Sequence, residues 1–570
     1  MKYGKRILIA LVVIGVALAV YTGGLVDGLG VSDKPLTLEQ AQARLPELVE
    51  RIQWSSRPVQ RRAKLQLGAR KDLKETLPKI DQFELTVDPV VGPDDLMVEI
   101  FVTTTRAGKD TDGHMVEVAK AFNAADVRLS GGKTAKIRIR RIESGTGYEY
   151  IASRKYLPDA FTPVHALWIE MAKANGITMT EIRPSMARSV AGIVMKTRTA
   201  ERIREKYQVA DVRSIINEVV QGGIAMGYTD PFASSTGLNF LVTVLGTFAE
   251  GGLDPLSPAV VSTFEKFQQG VPFVALSTLH MRESVRNDGS LDAFIMGHQT
   301  FLKTAELQHG YEFIPFGFPH THPFYAVGDP GPQKMEALEQ FARFAERPEL
   351  QRLAERYGWN QPISQTYQPD LVMPDGAMLL QMQRLWKEKK DAGRPIAAIF
   401  IADVSGSMAG SRIRALKRAL LSGSEFISPE NHIGLATFSN TVTELLPVNR
   451  FNLNQKAAFH AAVQDMDTGG NTAMYDGVLV SLKLLLDYKR AHPEVKPMLF
   501  VLTDGQTNEG FSLNDAEEVI QGLKVPVYTI GYEADLKVLK ELSSLVEAAS
   551  INAGEEDVEY KIGSLLNAQM

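Results

Sequence analysis

The feature that most constrains this chain is an apolar run, Ile396 to Ala402, that ends on Asp403-Val404-Ser405-Gly406-Ser407. A run without polar alternation predicts a strand buried on both faces, the situation of a parallel sheet covered by helices. Further apolar runs at His432 to Phe438, Met498 to Leu502 and Val525 to Ile530 alternate with helical patterns at Ile413 to Ile427, Asn454 to Gln464, Tyr475 to Lys489, Asn514 to Gly522 and Leu536 to Ala548. This alternation predicts a doubly wound α/β unit. Such sheets bind ligands at the carboxyl ends of their strands, where Asp403, Ser405 and Ser407 fall.

Two more loops belong at the same edge: Gly469-Gly470-Asn471-Thr472, and Asp504, which follows the run Met498 to Leu502 and precedes Gly505. Two carboxylates and three hydroxyls, with no histidine or cysteine, suit a hard divalent ion such as Mg2+, with Mn2+ or Ca2+ as alternatives, over Zn2+. Two negative charges leave that ion short of ligands, so an external carboxylate can complete it. Serines and aspartates after strands also serve as ordinary caps and turns, so the reading rests on the set. The stretch Phe400 to Met408 resembles the first motif of the von Willebrand factor A family, and Thr472 and Leu502-Thr503-Asp504-Gly505 match its second and third. The resemblance covers Ile396 to Asn567 and implies a Rossmann-like fold with a metal-ion-dependent adhesion site. It further implies that Ser405, Ser407 and Thr472 ligate the ion closely, that Asp403 and Asp504 act directly or through water, and that a protein partner offers an Asp or Glu carboxylate.

The middle of the chain shows a second α/β alternation, with strands expected at Met97 to Val102, Ala135 to Ile142, Val190 to Met195, Gly223 to Met226, Val271 to Leu276 and Tyr311 to Phe316. A helix is expected at His114 to Ala124, and the pattern fades after a Leu- and Glu-rich helix from Met335 to Tyr357. Thr103, Thr104 and Thr105, then Ser144 with Thr146, then Ser234, Ser235, Thr236 and Gly237 form hydroxyl-rich stretches at expected helix starts. Ordinary caps use the same residue types. The region Leu96 to Gly358 resembles type-2 periplasmic solute-binding proteins, of the group that includes binders of oxyanions such as molybdate. The likeness is carried by Phe101 to Arg106, by Ser144-Gly145 with Leu157-Pro158-Asp159-Ala160 and Trp168, and by Tyr228-Thr229-Asp230-Pro231 continuing through Ser234 to Gly237. It implies two lobes with a small solute between them, held by hydroxyls and helix N-terminal N–H groups, for which Thr103 to Thr105, Ser144, Thr146 and Ser234 to Gly237 have the right character. His320 and His322 lack a nearby carboxylate and read as a crossover near the hinge in preference to a metal pair.

Ahead of these units, Lys2, Lys5 and Arg6 precede an uncharged apolar run from Ile7 to Val26, long enough to cross a bilayer. The expectation is a single-pass cell-membrane anchor with residues after about 27 outside the cytoplasm, periplasmic or at the cell surface. The alternative is secretion after cleavage near Ala17-Leu18-Ala19. Thr37 and Gln40 form a capping-box pattern, and Thr37 to Phe83 reads as one or two amphipathic helices of a stalk whose basic residues form a solvated face.

The resulting layout is an anchor or signal at 1–30, a helical stalk or linker at 31–90, a two-lobed unit at 91–360, a connector at 361–395 and the adhesion-type domain at 396–570. A net charge of -5 and the absence of cysteine argue against nucleic-acid binding, disulfides and thiolate chemistry. Gly-x-Ser-x-Gly, His-Glu-x-x-His and a phosphate-loop lysine are missing, so no enzyme is expected, and a metal-dependent hydrolase is the least favoured reading. The favoured function is an envelope protein that adheres to a protein partner through its metal. The alternative is a solute sensor whose A domain relays ligand state to an envelope complex.

Overall fold

Alternate residues of the strand Ile396–Asp403 feed two different cores. Ala397, Ile399 and Ile401 pack with Val478, Leu482, Val519 and Leu523 on one side. Ile396, Ala398, Phe400 and Ala402 pack with Ala415, Leu416, Phe459 and Ile562 on the other. A two-residue period with both faces apolar is what helices on both sides of a sheet demand. The computed structural model describes residues 36–65, 76–249, 253–271, 274–275, 277–285, 291–362, 371–390, 394–505, 507–532, 536–546, 550–553 and 557–570. The apolar run Ile7 to Val26 lies outside them, and among the described residues no helix is long and apolar enough to cross a membrane.

The C-terminal sheet has the order Trp54–Ser56, Val442–Arg450, His432–Phe438, Ile396–Asp403, Lys496–Thr503, Val527–Tyr532, Ser550–Ala553. Its centre is parallel, and Val442–Arg450 turns back antiparallel on His432–Phe438. The first strand is a correction to the sequence reading. Among the described residues of the stretch expected to form a free stalk, Leu38–Val49 form a helix closed by the Thr37–Gln40 capping box, and Trp54–Ser56 form a strand parallel to Val442–Glu444. Ala41, Leu45, Leu48 and Val49 are buried against this unit, because an amphipathic helix is stabilised by covering its apolar face. Arg61, read as part of a solvated face, pairs with Asp465 at 2.5 Å, and Arg51 lies over the Phe511 ring.

The chain joins this unit at a defined pole. The helix Leu513–Leu523 starts beyond the carboxyl end of Lys496–Thr503 and finishes before Val527, at the amino ends of the strands. Leu36 packs beside Gly522, so the chain enters at the end opposite Asp403.

The middle region is built on two sheets. One holds Leu85–Val87, Thr134–Arg141, Asp95–Val102, Ala160–Thr162, Phe324–Val327 and Met179–Arg183 in that order. The other holds Tyr311–His320, Ser189–Lys196, Ala293–Gly297, Met226–Thr229 and Val274–Ala275. The chain crosses between them at residues 184–188 and 321–323, and the Met186 N–H donates to the His322 carbonyl across the two crossings. Two expectations shift. The strand foreseen at Gly223 to Met226 begins at Met226. Of the strand foreseen at Val271 to Leu276, Val274–Ala275 is described as strand, and residues 272, 273 and 276 lie outside the described residues. The long helix foreseen from Met335 splits into Pro332–Ala345 and Pro348–Arg356, because proline has no N–H with which to continue a helix.

The final helix, Val558–Gln569, joins the units. Ile562, Leu565 and Leu566 enter the C-terminal core, while the Gln569 amide donates to Val274 O in the middle region and accepts from the Tyr528 hydroxyl. The Lys390 ammonium donates to Ala568 O at 2.7 Å.

Candidate functional site

Two sites take shape, one at the carboxyl edge of the C-terminal sheet and one between the middle lobes. At the first, Asp403 ends the central strand with no exposure. One of its oxygens accepts the Ser405 N–H at 2.8 Å and the other accepts the Thr503 hydroxyl at 2.6 Å. The Ser405 and Ser407 hydroxyls lie 3.0 Å apart, and Ser407 donates to Asp504 at 3.0 Å. The Gly406 N–H donates to Gly470 O and the Gly469 N–H to Val404 O, which fastens the loop carrying Thr472 against this turn. Gly470 has φ 83, a left-handed conformation that favours glycine.

Burial pushes the Asp403 carboxyl above its ordinary range, with the Asp504 charge adding to the effect and bonds from Ser405 and Thr503 opposing it. The cluster therefore concentrates two carboxylates and several hydroxyl oxygens with little to balance their charge. That donor set fits a hard divalent cation. Arg412, which the sequence reading passed over, supplies one positive charge: its guanidinium donates to Asp504 at 2.9 Å and to Ser407 O at 3.2 Å. Thr503 was likewise missed, although it stands in the quoted Leu502-Thr503-Asp504-Gly505 stretch.

At the second site, Thr103, Thr104, Thr105, Ser144, Ser234, Ser235 and Thr236 line one cavity of about 30 Å³. Two of the expected residues stand back from it. The Thr146 hydroxyl accepts from Tyr560 at 3.0 Å, and the Gly237 N–H is spent on the Ser234 cap. Gly237 also backs onto Thr229 O so closely that a Cβ would lie 2.1 Å away.

The cavity wall includes residues that sequence reasoning missed: Glu143, Ser189, Thr278, Gln299, Thr300 and Trp359, together with His320, which had been placed at the hinge alone. A carboxylate directly before Ser144-Gly145 was the one legible signal among them. The lobes touch across the cavity, where the Gly145 N–H donates to Ala233 O at 3.0 Å. His320 is buried with Nε2 unpartnered, and burial lowers it to about 3, so the ring is neutral. His322, at φ 46, packs edge-on against Trp359 at 4.6 Å. Among the described residues no three His, Asp or Glu side chains group as a metal site.

Comparison with known proteins bears on the two domains. A family model for the von Willebrand factor type A domain matches residues 399–561, and one for bacterial extracellular solute-binding proteins matches residues 104–360. The chain joins a bacterial solute-binding domain to a von Willebrand factor A domain. The A domain is similar to inter-alpha-trypsin inhibitor heavy chain H1 of Mesocricetus auratus, 29% identical over 24% of this chain and 16% of that protein. It is also similar to heavy chain H3 of Homo sapiens, 31% identical over 25% of this chain and 17% of that protein. The alignment thus spans under a fifth of those relatives. Among solved structures, a periplasmic thiamin binding protein matches over 53% of this chain and 99% of its own, with 12% identity and a TM-score of 0.40. A von Willebrand factor type A protein from Catenulispora acidiphila matches over 30% and 42%, with 17% identity and a TM-score of 0.28. Both domain families are typically binding proteins rather than enzymes, and A domains commonly hold a divalent ion.

Proposed function

We propose that this is a membrane-anchored extracytoplasmic protein that captures a protein partner through a divalent cation in its A domain. The observation that carries the reading is the hydrogen-bonded chain from Ser405 through Ser407 to Asp504, set beside buried Asp403 at the sheet's carboxyl edge. Asp403, Ser405, Ser407, Thr472 and Asp504 would hold Mg2+, or Mn2+ or Ca2+. The ion would supply a Lewis-acidic position for an Asp or Glu carboxylate of the partner. Asp403 is held by Thr503 and by the Ser405 N–H, so its carboxylate is oriented by the fold before any partner arrives.

The entry of the chain at the opposite pole supports the tether. An anchor ending near Val26 leaves nine residues before Leu36, a reach of at most about 35 Å, and the adhesion edge would then face away from the membrane. The test is a pull-down from envelope extract with and without EDTA, using the wild type and Ser407→Ala. Capture that survives both chelation and the substitution excludes the metal as the contact.

A second reading, a solute sensor coupled to the A domain, is favoured by one contact. The Tyr560 hydroxyl of the A domain's last helix donates to Thr146 on the helix Ser144–Ser153, whose first residue lines the cavity. Coupling predicts that Tyr560→Phe weakens the effect of solute on partner affinity while each ligand alone binds as before. One lost hydrogen bond of this kind is worth about 1 kcal/mol. An unchanged solute effect in a two-ligand titration rules the contact out as the relay.

A further inference from the structure

A groove of about 680 Å³ opens at the pole opposite Asp403, where the chain enters the C-terminal unit. It lies between the helix Leu38–Val49, the last turns of Met474–Ala491 and the turn from Leu523 to Val525. Leu38, Leu45, Pro46, Leu486, Pro497 and Val525 give it an apolar wall. Leu38 is 45% exposed, so this wall runs out to the surface beside the point of chain entry.

The charges along the groove are mostly of one sign. Lys483, Lys489, Arg490 and Lys524 line it, with Asp487 as the one carboxylate of the lining. Asp487 is engaged by Lys483 at 2.7 Å and by Arg490, so the lining keeps an excess of positive charge. Cations in the last turn of a helix answer its C-terminal partial negative charge, and Lys489 accordingly donates to Pro493 O and Val495 O. Lys524 makes no such bond. It follows the helix Leu513–Leu523 at φ 55, a left-handed position that glycine or asparagine fills with less strain. It is exposed, and among the described residues its ammonium has no partner.

Resting on the reading of an N-terminal membrane anchor, we propose that this groove seats an anionic phospholipid of the same bilayer. The lipid phosphate meets Lys524, Lys489 and Arg490, and an acyl chain lies along the apolar wall. An apolar wall under a cationic rim matches a molecule with negative charge at one end and hydrocarbon at the other. A sugar or nucleotide would find few hydrogen-bonding groups along that wall. The place in the chain fits as well: nine residues separate Val26 from Leu36, so the groove beside Leu38 is held within about 35 Å of the anchor's end. Basic residues at an anionic membrane surface contribute roughly fivefold each to its affinity. Contact at this pole would fix the orientation of the A domain on its tether, with the edge at Asp403 turned outward.

The experiment reconstitutes the full chain in phosphatidylcholine vesicles doped with a photoactivatable phosphatidylglycerol or, separately, a photoactivatable phosphatidylcholine. Cross-linked peptides are identified by mass spectrometry, and flotation with pure phosphatidylcholine vesicles reads the anchor by itself. The phosphatidylglycerol probe is expected to label peptides from 483–497 and 523–525 at least about fivefold more than the phosphatidylcholine probe. Lys524→Asn, which suits the left-handed backbone and removes the charge, should lower that labelling about fivefold, and adding Arg490→Gln should bring the loss to about 25-fold. Equal labelling by the two probes overturns the lipid site and leaves the anchor in place. So does labelling unchanged in the double variant, or labelling abolished by glycerol phosphate equimolar with the probe. Flotation only with vesicles that contain phosphatidylglycerol removes the anchor and leaves the groove as the membrane contact. Flotation with neither vesicle overturns both.

Discussion

Asp403 and Asp230 occupy equivalent places in two different domains. Each directly ends or follows an apolar strand with parallel neighbours, each is almost wholly buried, and burial pushes each carboxyl upward. Their surroundings differ. Asp403 faces a second carboxylate, Asp504, through a chain of hydroxyls at an edge that opens to solvent at Ser407. Asp230 accepts the Phe232 N–H at 2.8 Å in a tight turn, and the charges it feels are those of Lys390 and Lys387. A strand-terminal aspartate is therefore not a site in itself. A second carboxylate and donor-bearing loops turn it into one, while a turn and distant lysines leave it a structural group.

The strongest way to break this comparison is Ser407→Ala. Ser407 is exposed, so its loss should not unfold the domain. It also links Ser405 to Asp504, and removing a ligand should lower divalent-ion affinity by about 100-fold or more. Calorimetry with Mg2+ or Mn2+ reads this directly, and an unaltered affinity means the hydroxyl chain is only a turn.

Asp230→Asn tests the other half. Folded Asp230 titrates at about 6 against an ordinary value of 3.8, so the folded state holds the proton more tightly. The stability this provides is complete below pH 3.8 and is lost as pH rises through 6. Asparagine keeps the acceptor for Phe232 and carries no charge. It should therefore leave stability unchanged near pH 4 and raise it near pH 8 by up to about 3 kcal/mol. Denaturant midpoints at the two pH values check this, and an equal shift at both sinks the assignment.

How much of each site was legible follows from how local it is. The C-terminal cluster is written in three short stretches, two directly after strands and one, carrying Thr472, between the helices Leu453–Gln464 and Met474–Ala491, and its hydroxyls and carboxylates could be named from those stretches together with the family resemblance. The cavity wall draws on residues from Thr103 to Trp359. Its helix-start serines and threonines were readable as caps, but Glu143, Gln299 and Trp359 become neighbours only when the lobes meet. The strand Trp54–Ser56 is too short for any periodicity and finds its place through pairing with Val442, far along the chain. The helix before it has an apolar face that reads equally well as a stalk or as a covered surface.

Lobe contact can be broken at a single atom. A Cβ on Gly145 would lie 2.0 Å from the carbonyl oxygen of Phe232 in the facing lobe. Backbone cannot yield there without moving a lobe, so Gly145→Ala should hold the cleft ajar. Affinity for a cleft ligand should fall by about tenfold or more, since the site then lacks half its donors, while divalent-ion affinity at the A domain stays as it was. A loss at both sites would show that the substitution damages the whole chain.

The smallest expected effect sharpens the account of charge at the adhesion edge. Among the described residues Arg412 is the one cation that touches Asp504, and its side chain is about a third exposed. Solvent therefore screens the pair, which is worth up to about 1 kcal/mol. On the proposed reading a divalent ion would share Asp504 with this guanidinium, so Arg412→Ala should tighten ion binding by up to about fivefold. The gain should shrink as salt rises, because screening already weakens the wild-type pair. If Arg412→Ala weakens ion binding instead, the arginine orients Asp504 more than it competes for it. Its bond to Ser407 O would then be the part of the contact that matters. Arg412→Lys separates the two roles, since lysine keeps the charge and loses the planar fork that reaches Asp504 and Ser407 together.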